Sequence, residues 1–123
     1  MPISYSVDSE RGLIVSRWEG PVTAEDLATH WKKLFSDEPA LALRRSFADL
    51  RGSDLLFSGA DLHRLTSDIV RPELEHGPWK TAIIVDRPVN FGISRQFQNW
   101  ARLFSDSELF EDEHAALAWL LAR

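Results

Sequence analysis

The chain has 123 residues, 44% of them hydrophobic and 27% charged, with no cysteine and a formal net charge of -5. That length holds one domain, residues 1–123, and the apolar content excludes disorder over the whole chain. The missing cysteines exclude disulfides, Cys-based zinc sites and thiol nucleophiles, and the acidic balance argues against a nucleic-acid binder. No apolar run approaches the ~18 residues of a bilayer span, and the N-terminus has no basic region followed by an apolar stretch. The expected setting is the cytoplasm, and an integral membrane protein is not expected.

Ile3, Tyr5 and Val7 alternate with Ser4, Ser6 and Asp8, the period-2 pattern of a half-buried strand. Ser9-Glu10-Arg11-Gly12 reads as a turn into a second strand, Leu13 to Trp18, so the chain opens with an antiparallel hairpin. Gly20-Pro21 breaks that strand. Thr23-Ala24-Glu25-Asp26 is a capping-box pattern, and Leu27, Trp31, Leu34 and Phe35 form the inner stripe of a first helix, with Pro39 at its exit. Ser46 to Leu50 predicts a third strand, and Arg51-Gly52-Ser53-Asp54 its turn.

Ser58-Gly59-Ala60-Asp61 opens a second helix carrying Leu62, Leu65 and Ile69 inward. Pro72 is expected to stop it, with an exposed loop from Arg71 to Pro78. Thr81 to Val85 is a continuous apolar and β-branched run, the pattern of a central parallel strand. Asp86-Arg87-Pro88 ends it, and Asn90 is expected to cap a third helix with Ile93, Phe97, Trp100, Ala101 and Phe104 inward. Glu108 to Phe110 predicts a short last strand. Asp112 caps a final helix that is apolar over a wide arc and should be largely buried. The order ββαβαβαβα predicts an α/β domain with a mixed β-sheet and right-handed crossovers.

Candidate chemistry is sparse. His30, His63, His76 and His114 form no His-x-x-x-His pair, and the acidic runs lack EF-hand spacing, so no metal is expected. No glycine-rich nucleotide loop and no Gly-x-Ser-x-Gly elbow appears, so no cofactor and no catalytic triad are expected. His30 and His63 are read as helix-surface or boundary residues. Asp86, Arg87 and Asn90 lie at the carboxyl end of the central strand, where open α/β sheets bind ligands, and Arg95 follows in the next helix. Trp31, Trp100 and Trp119 fall on inner stripes and are read as core. Trp18 and Trp79 are less constrained, and Tyr5 and Trp18 are candidates for a homodimer contact or an apolar pocket.

Three stretches carry a resemblance to a known family. The C-terminal Phe110, Ala116, Trp119 and Leu120 fit a closing strand followed by an Ala-x-x-Trp-Leu helix. Phe91-Gly92-Ile93-Ser94-Arg95 fits an aromatic-Gly-Met-x-Arg pattern with Ile for Met, and Trp18 to Thr23 fits the family's start. With the element order, these make the chain similar to the SpoIIAA-like branch of the STAS superfamily. The resemblance implies the SpoIIAA-like fold and a module that binds a protein partner, switched in some members by phosphorylation of a Ser or Thr at a helix start. Ser58 is the positional match, with Phe57 where the family's Asp stands. As a plain N-cap, Ser58 would contribute about 1 kcal/mol.

The leading expectation is a non-enzymatic regulatory or binding module acting through protein contacts. The alternative is a carrier or sensor of a small apolar or lipid-like ligand, held between the sheet and the helices begun by Ser58 and Asn90. An apolar cavity of roughly a few hundred Å³ favours the ligand and a closed core excludes it. A small enzyme would need convergent polar groups in that pocket.

Overall fold

The computed structural model describes residues 2–75, 77–103 and 105–122. His76 and Phe104, read above as loop and helix-stripe residues, lie outside them. Strands β1 (Ile3–Asp8) and β2 (Leu13–Trp18) form the opening hairpin, with Ile3 opposite Trp18 and Asp8 opposite Leu13. Gly12 takes φ 69° in its turn, a conformation that favours glycine. Strands β3 (Gly20–Val22), β4 (Arg45–Asp49), β5 (Ser53–Leu55), β6 (Trp79–Ile84) and β7 (Ser105–Phe110) follow. The main sheet has the order β1-β2-β4-β6-β7, antiparallel only at β1–β2. It is the mixed sheet the sequence predicts.

Helix α1 (Ala24–Leu34) starts at the predicted capping box: Thr23 Oγ1 accepts from the Asp26 N–H and the Asp26 carboxylate accepts from the Thr23 N–H. Next come α2 (Glu38–Leu41), α3 (Gly59–Leu65), α4 (Arg71–Leu74), α5 (Pro88–Ala101) and α6 (Glu113–Leu121). Helices α1, α3, α4 and α5 share the larger core on the front of the sheet. Only α6 packs in the smaller core behind it, with Leu13, Phe47, Ala82 and Ile84.

Three expectations are corrected. Gly20-Pro21, read as a break, and Ser53-Asp54, read as part of a turn, belong to a small parallel sheet, β3 with β5. Pro72 does not end the second helix, which runs on through a π turn over 66–70 into α4. There the Arg71 N–H reaches back five residues to the Thr66 carbonyl, and the proline ring enters the first turn of α4, where a backbone N–H is dispensable. Helix α6 buries Ala116 and Leu120 completely but leaves Trp119 half-buried and Leu121 exposed. It covers its face of the sheet alone, so its outer half meets solvent. Among the described residues, no helix is long and apolar enough to cross a membrane.

Candidate functional site: a cavity between sheet and helices

Successive residues of a strand face opposite sides of the sheet. On the front, many of the side chains of β2, β4, β6 and β7 are small: Ser16, Ser46, Ala48, Thr81 and Ser105. The register places Ser46 between Ile14 and Thr81, and Thr81 beside Ser107, so one row across the sheet is short-chained from β4 to β7. The helices bridge over that row. Between them remains a cavity of about 100 Å³, walled on the helix side by Leu27, His30 and Trp31 of α1, Leu62 of α3, and Ile93 and Phe97 of α5. An engineered apolar cavity of about 150 Å³ takes benzene and stays dry. This one is of single-ring size and falls short of the roughly 300 Å³ at which drug-sized pockets begin.

Among the described residues, none that lines it is Asp, Glu, Lys or Arg. Most polar atoms in the wall are already paired. Trp79 Nε1 donates to Ser46 Oγ at 3.1 Å, and Ser46 Oγ and Thr81 Oγ1 lie 2.9 Å apart. Trp18 Nε1 donates to Ser16 Oγ at 3.1 Å, and Ser105 Oγ donates to the Trp79 carbonyl at 3.2 Å. Three wall residues differ. Trp31, His30 and Ser94 are only 9%, 6% and 5% exposed, and their side chains have no hydrogen-bond partner among the described residues.

His30 sits between two aromatic neighbours, Tyr5 at 5.8 Å and Trp18 at 5.9 Å between ring centroids, both in edge contact. Burial, and then the charge of Lys33, pushes its pKa down to about 4, so the imidazole is neutral at pH 7. Tyr5 makes no hydrogen bond to it, and its hydroxyl donates to Asp37 Oδ2 at 2.7 Å. Burial and that carboxylate raise the Tyr5 pKa to about 12. His30 is therefore core, not the surface or boundary residue read from the sequence.

The residues singled out beforehand do not converge on one site. Trp18 lines the cavity, and Tyr5 closes behind His30 without lining it. Ser58 is an exposed N-cap of α3, its Oγ accepting from the Asp61 N–H at 3.0 Å. Arg87 is ion-paired with Asp54. Asn90 does not cap α5, which starts at Pro88 with Arg87 as N-cap. Its side chain is fully buried instead, Nδ2 donating to the Ser53 carbonyl at 3.0 Å and so tying α5 to β5. Asp86 remains exposed and, with Glu113, adds its charge to the surroundings of Arg51. Arg95 lies over the Phe91 ring, in a shallow groove beside β7 with Arg102.

One other buried ionisable group stands behind the sheet. Burial pushes the Asp49 carboxyl up, but hydrogen bonds from the Arg51 side chain and N–H outweigh it, and the pKa lies below the usual range. Arg51 Nε and Nη2 reach its two oxygens at 3.0 and 2.9 Å, so this carboxylate is occupied. Among the described residues, no group of three or more His, Asp or Glu is placed to hold a metal ion.

No protein-family model matches the chain, and no curated protein matches it in sequence. Among solved structures it is similar to an uncharacterized protein of the DUF3478 family with a SpoIIAA-like fold, from Shewanella loihica PV-4. The two share 22% identity at a TM-score of 0.64, over 96% of this chain and 93% of that one. Hairpin-led mixed sheet, front layer of helices α1, α3, α4 and α5, and α6 behind thus make this chain an example of the SpoIIAA-like fold.

Proposed function

We propose that the protein is a non-enzymatic binding module that holds a small apolar ligand between the sheet and helices α1, α3 and α5. The observation that carries this reading is the uncharged cavity of about 100 Å³, bounded by aromatic and aliphatic side chains. Burying a single ring there gains hydrophobic free energy without leaving a charge unpaired. A catalytic role has less support, because the wall offers hydroxyls already bonded to one another and no ion pair or nucleophile–base contact. Native mass spectrometry of the protein purified from its own host tests the reading. An adduct of low mass that leaves on gentle activation is expected. A clean polypeptide mass, together with no uptake of added toluene, refutes it.

A second reading, contact with a protein partner, is favoured by a different observation. Leu56 and Val89, 62% and 65% exposed, each stand two residues from a member of the Asp54–Arg87 ion pair, and Ser58, two residues beyond Leu56, caps α3. Exposed apolar side chains beside a paired charge resemble the centre and rim of an interface. In this reading Leu56→Asp abolishes partner binding while leaving the fold intact.

A further inference from the structure

Resting on the cavity reading above, we propose that the ligand is a small neutral amphiphile, a single ring or short tail with one hydroxyl group, and that His30 holds the hydroxyl. Three observations lead there. The wall is uncharged, so a carboxylate, phosphate or ammonium head would be buried without a counter-charge. The wall hydroxyls of Ser46, Thr81 and Ser105 and the indole N–H groups of Trp18 and Trp79 are committed to each other, to Ser16 or to backbone, while the Trp31 indole N–H can only donate. His30 alone combines deep burial, a place in the wall, a donor and an acceptor nitrogen, and no partner among the described residues.

Buried polar groups are seldom left unpaired, since losing water without a replacement is costly. The two rings that flank His30 meet it in T-shaped contacts and make no hydrogen bond to it: the Tyr5 hydroxyl donates to Asp37 and the Trp18 N–H to Ser16. A neutral imidazole donates from one nitrogen and accepts at the other, and a hydroxyl can meet either one. Ser94, buried and also unpartnered, gives α5 a second polar point in the same wall. Ring and hydroxyl together fit both the volume and the open polar positions of the wall, of which His30 is the one with both a donor and an acceptor nitrogen.

Three probes of one ring size separate the possibilities: toluene, phenol and benzoate, each titrated into the intact protein by calorimetry and by spectra of the histidine ring nitrogens. Phenol is expected to bind about tenfold more tightly than toluene, the worth of one good hydrogen bond. It should shift the His30 nitrogen signals, and benzoate should not bind. In His30→Phe the preference for phenol disappears while toluene binding survives. If that variant does not fold, the nitrogen shift in the unaltered protein remains a direct readout. Toluene binding as tightly as phenol, phenol bound with unmoved His30 signals, or benzoate bound more tightly than phenol each overturns the assignment and leaves the cavity reading standing. Failure of toluene and phenol alike overturns both.

Discussion

Behind the sheet, Leu13, Ala82 and Ile84 meet Ala116 and Leu120 with no exposed surface at all. In front, the same strands present Ser16, Ser46, Ala48 and Thr81, and a void remains under three helices. Because strand residues alternate between faces, the two surfaces are specified independently along one stretch of chain. Phe47 fills the back of β4 while its neighbours Ser46 and Ala48 leave the front open. A void of that size costs on the order of 2 kcal/mol in lost packing, and the back face shows that this sequence and fold can avoid such a cost. The cavity follows from the choice of small front residues and not from the architecture.

Acid separates the two faces most strongly. His30 titrates near 6.5 when unfolded and near 4 when folded, so the unfolded state binds the proton first. The stability due to its neutral form is complete above pH 6.5 and is lost as the pH falls toward 4, by about 3 kcal/mol. Asp49, behind the sheet, has a lowered folded pKa, so its contribution holds above the ordinary carboxylate value of about 4 and is lost only below it. Urea unfolding between pH 7 and 4 should therefore report the front face, and His30→Phe should remove most of the slope. An unaltered slope in that variant would place the responsible group elsewhere.

Overpacking sharpens the same contrast. Ala82 faces α6 with no exposure and Ala48 faces the cavity, on adjacent strands. Ala82→Val should destabilise by about 1–3 kcal/mol, whereas Ala48→Val should cost less than about 1 kcal/mol or add stability. Equal losses at both positions, measured by chemical denaturation, would mean that the front is as tightly filled as the back. The smallest effect lies outside both faces. Ser58→Ala should cost about 1 kcal/mol by removing the α3 cap, and Ser58→Asp should cost almost nothing because Asp caps as well. A change in partner binding with Ser58→Asp at unchanged stability would bring the second reading forward.

Much of this fold is legible in the residues, because the hairpin alternates over six residues and the capping boxes at Thr23 and Ser58 precede clear helical stripes. The small β3–β5 sheet is not, since three-residue strands built from Gly-Pro-Val and Ser-Asp-Leu carry no measurable period. His30 shows a different failure. It falls three residues after Leu27 and four before Leu34, squarely on the buried face of α1, yet a stripe drawn only through apolar letters passes over it. The cavity itself is invisible in a linear reading. It arises where small front residues of separate strands are brought together by register, Ser46 of β4 opposite Thr81 of β6.

The π turn at 66–70 has an evolutionary consequence. Such a turn holds one residue more than the regular helix, and each residue advances the helix by about 100°. Upstream of it Leu62 and Leu65 face the core, and Val70 at its end and Leu74 downstream do so too, with Leu62, Val70 and Leu74 all bordering the cavity. A single-codon deletion inside this turn would leave a smoother helix but swing Leu74 out of the wall. Lineages that gain or lose that one residue should therefore differ in what the chamber admits, while the sheet beneath it stays the same.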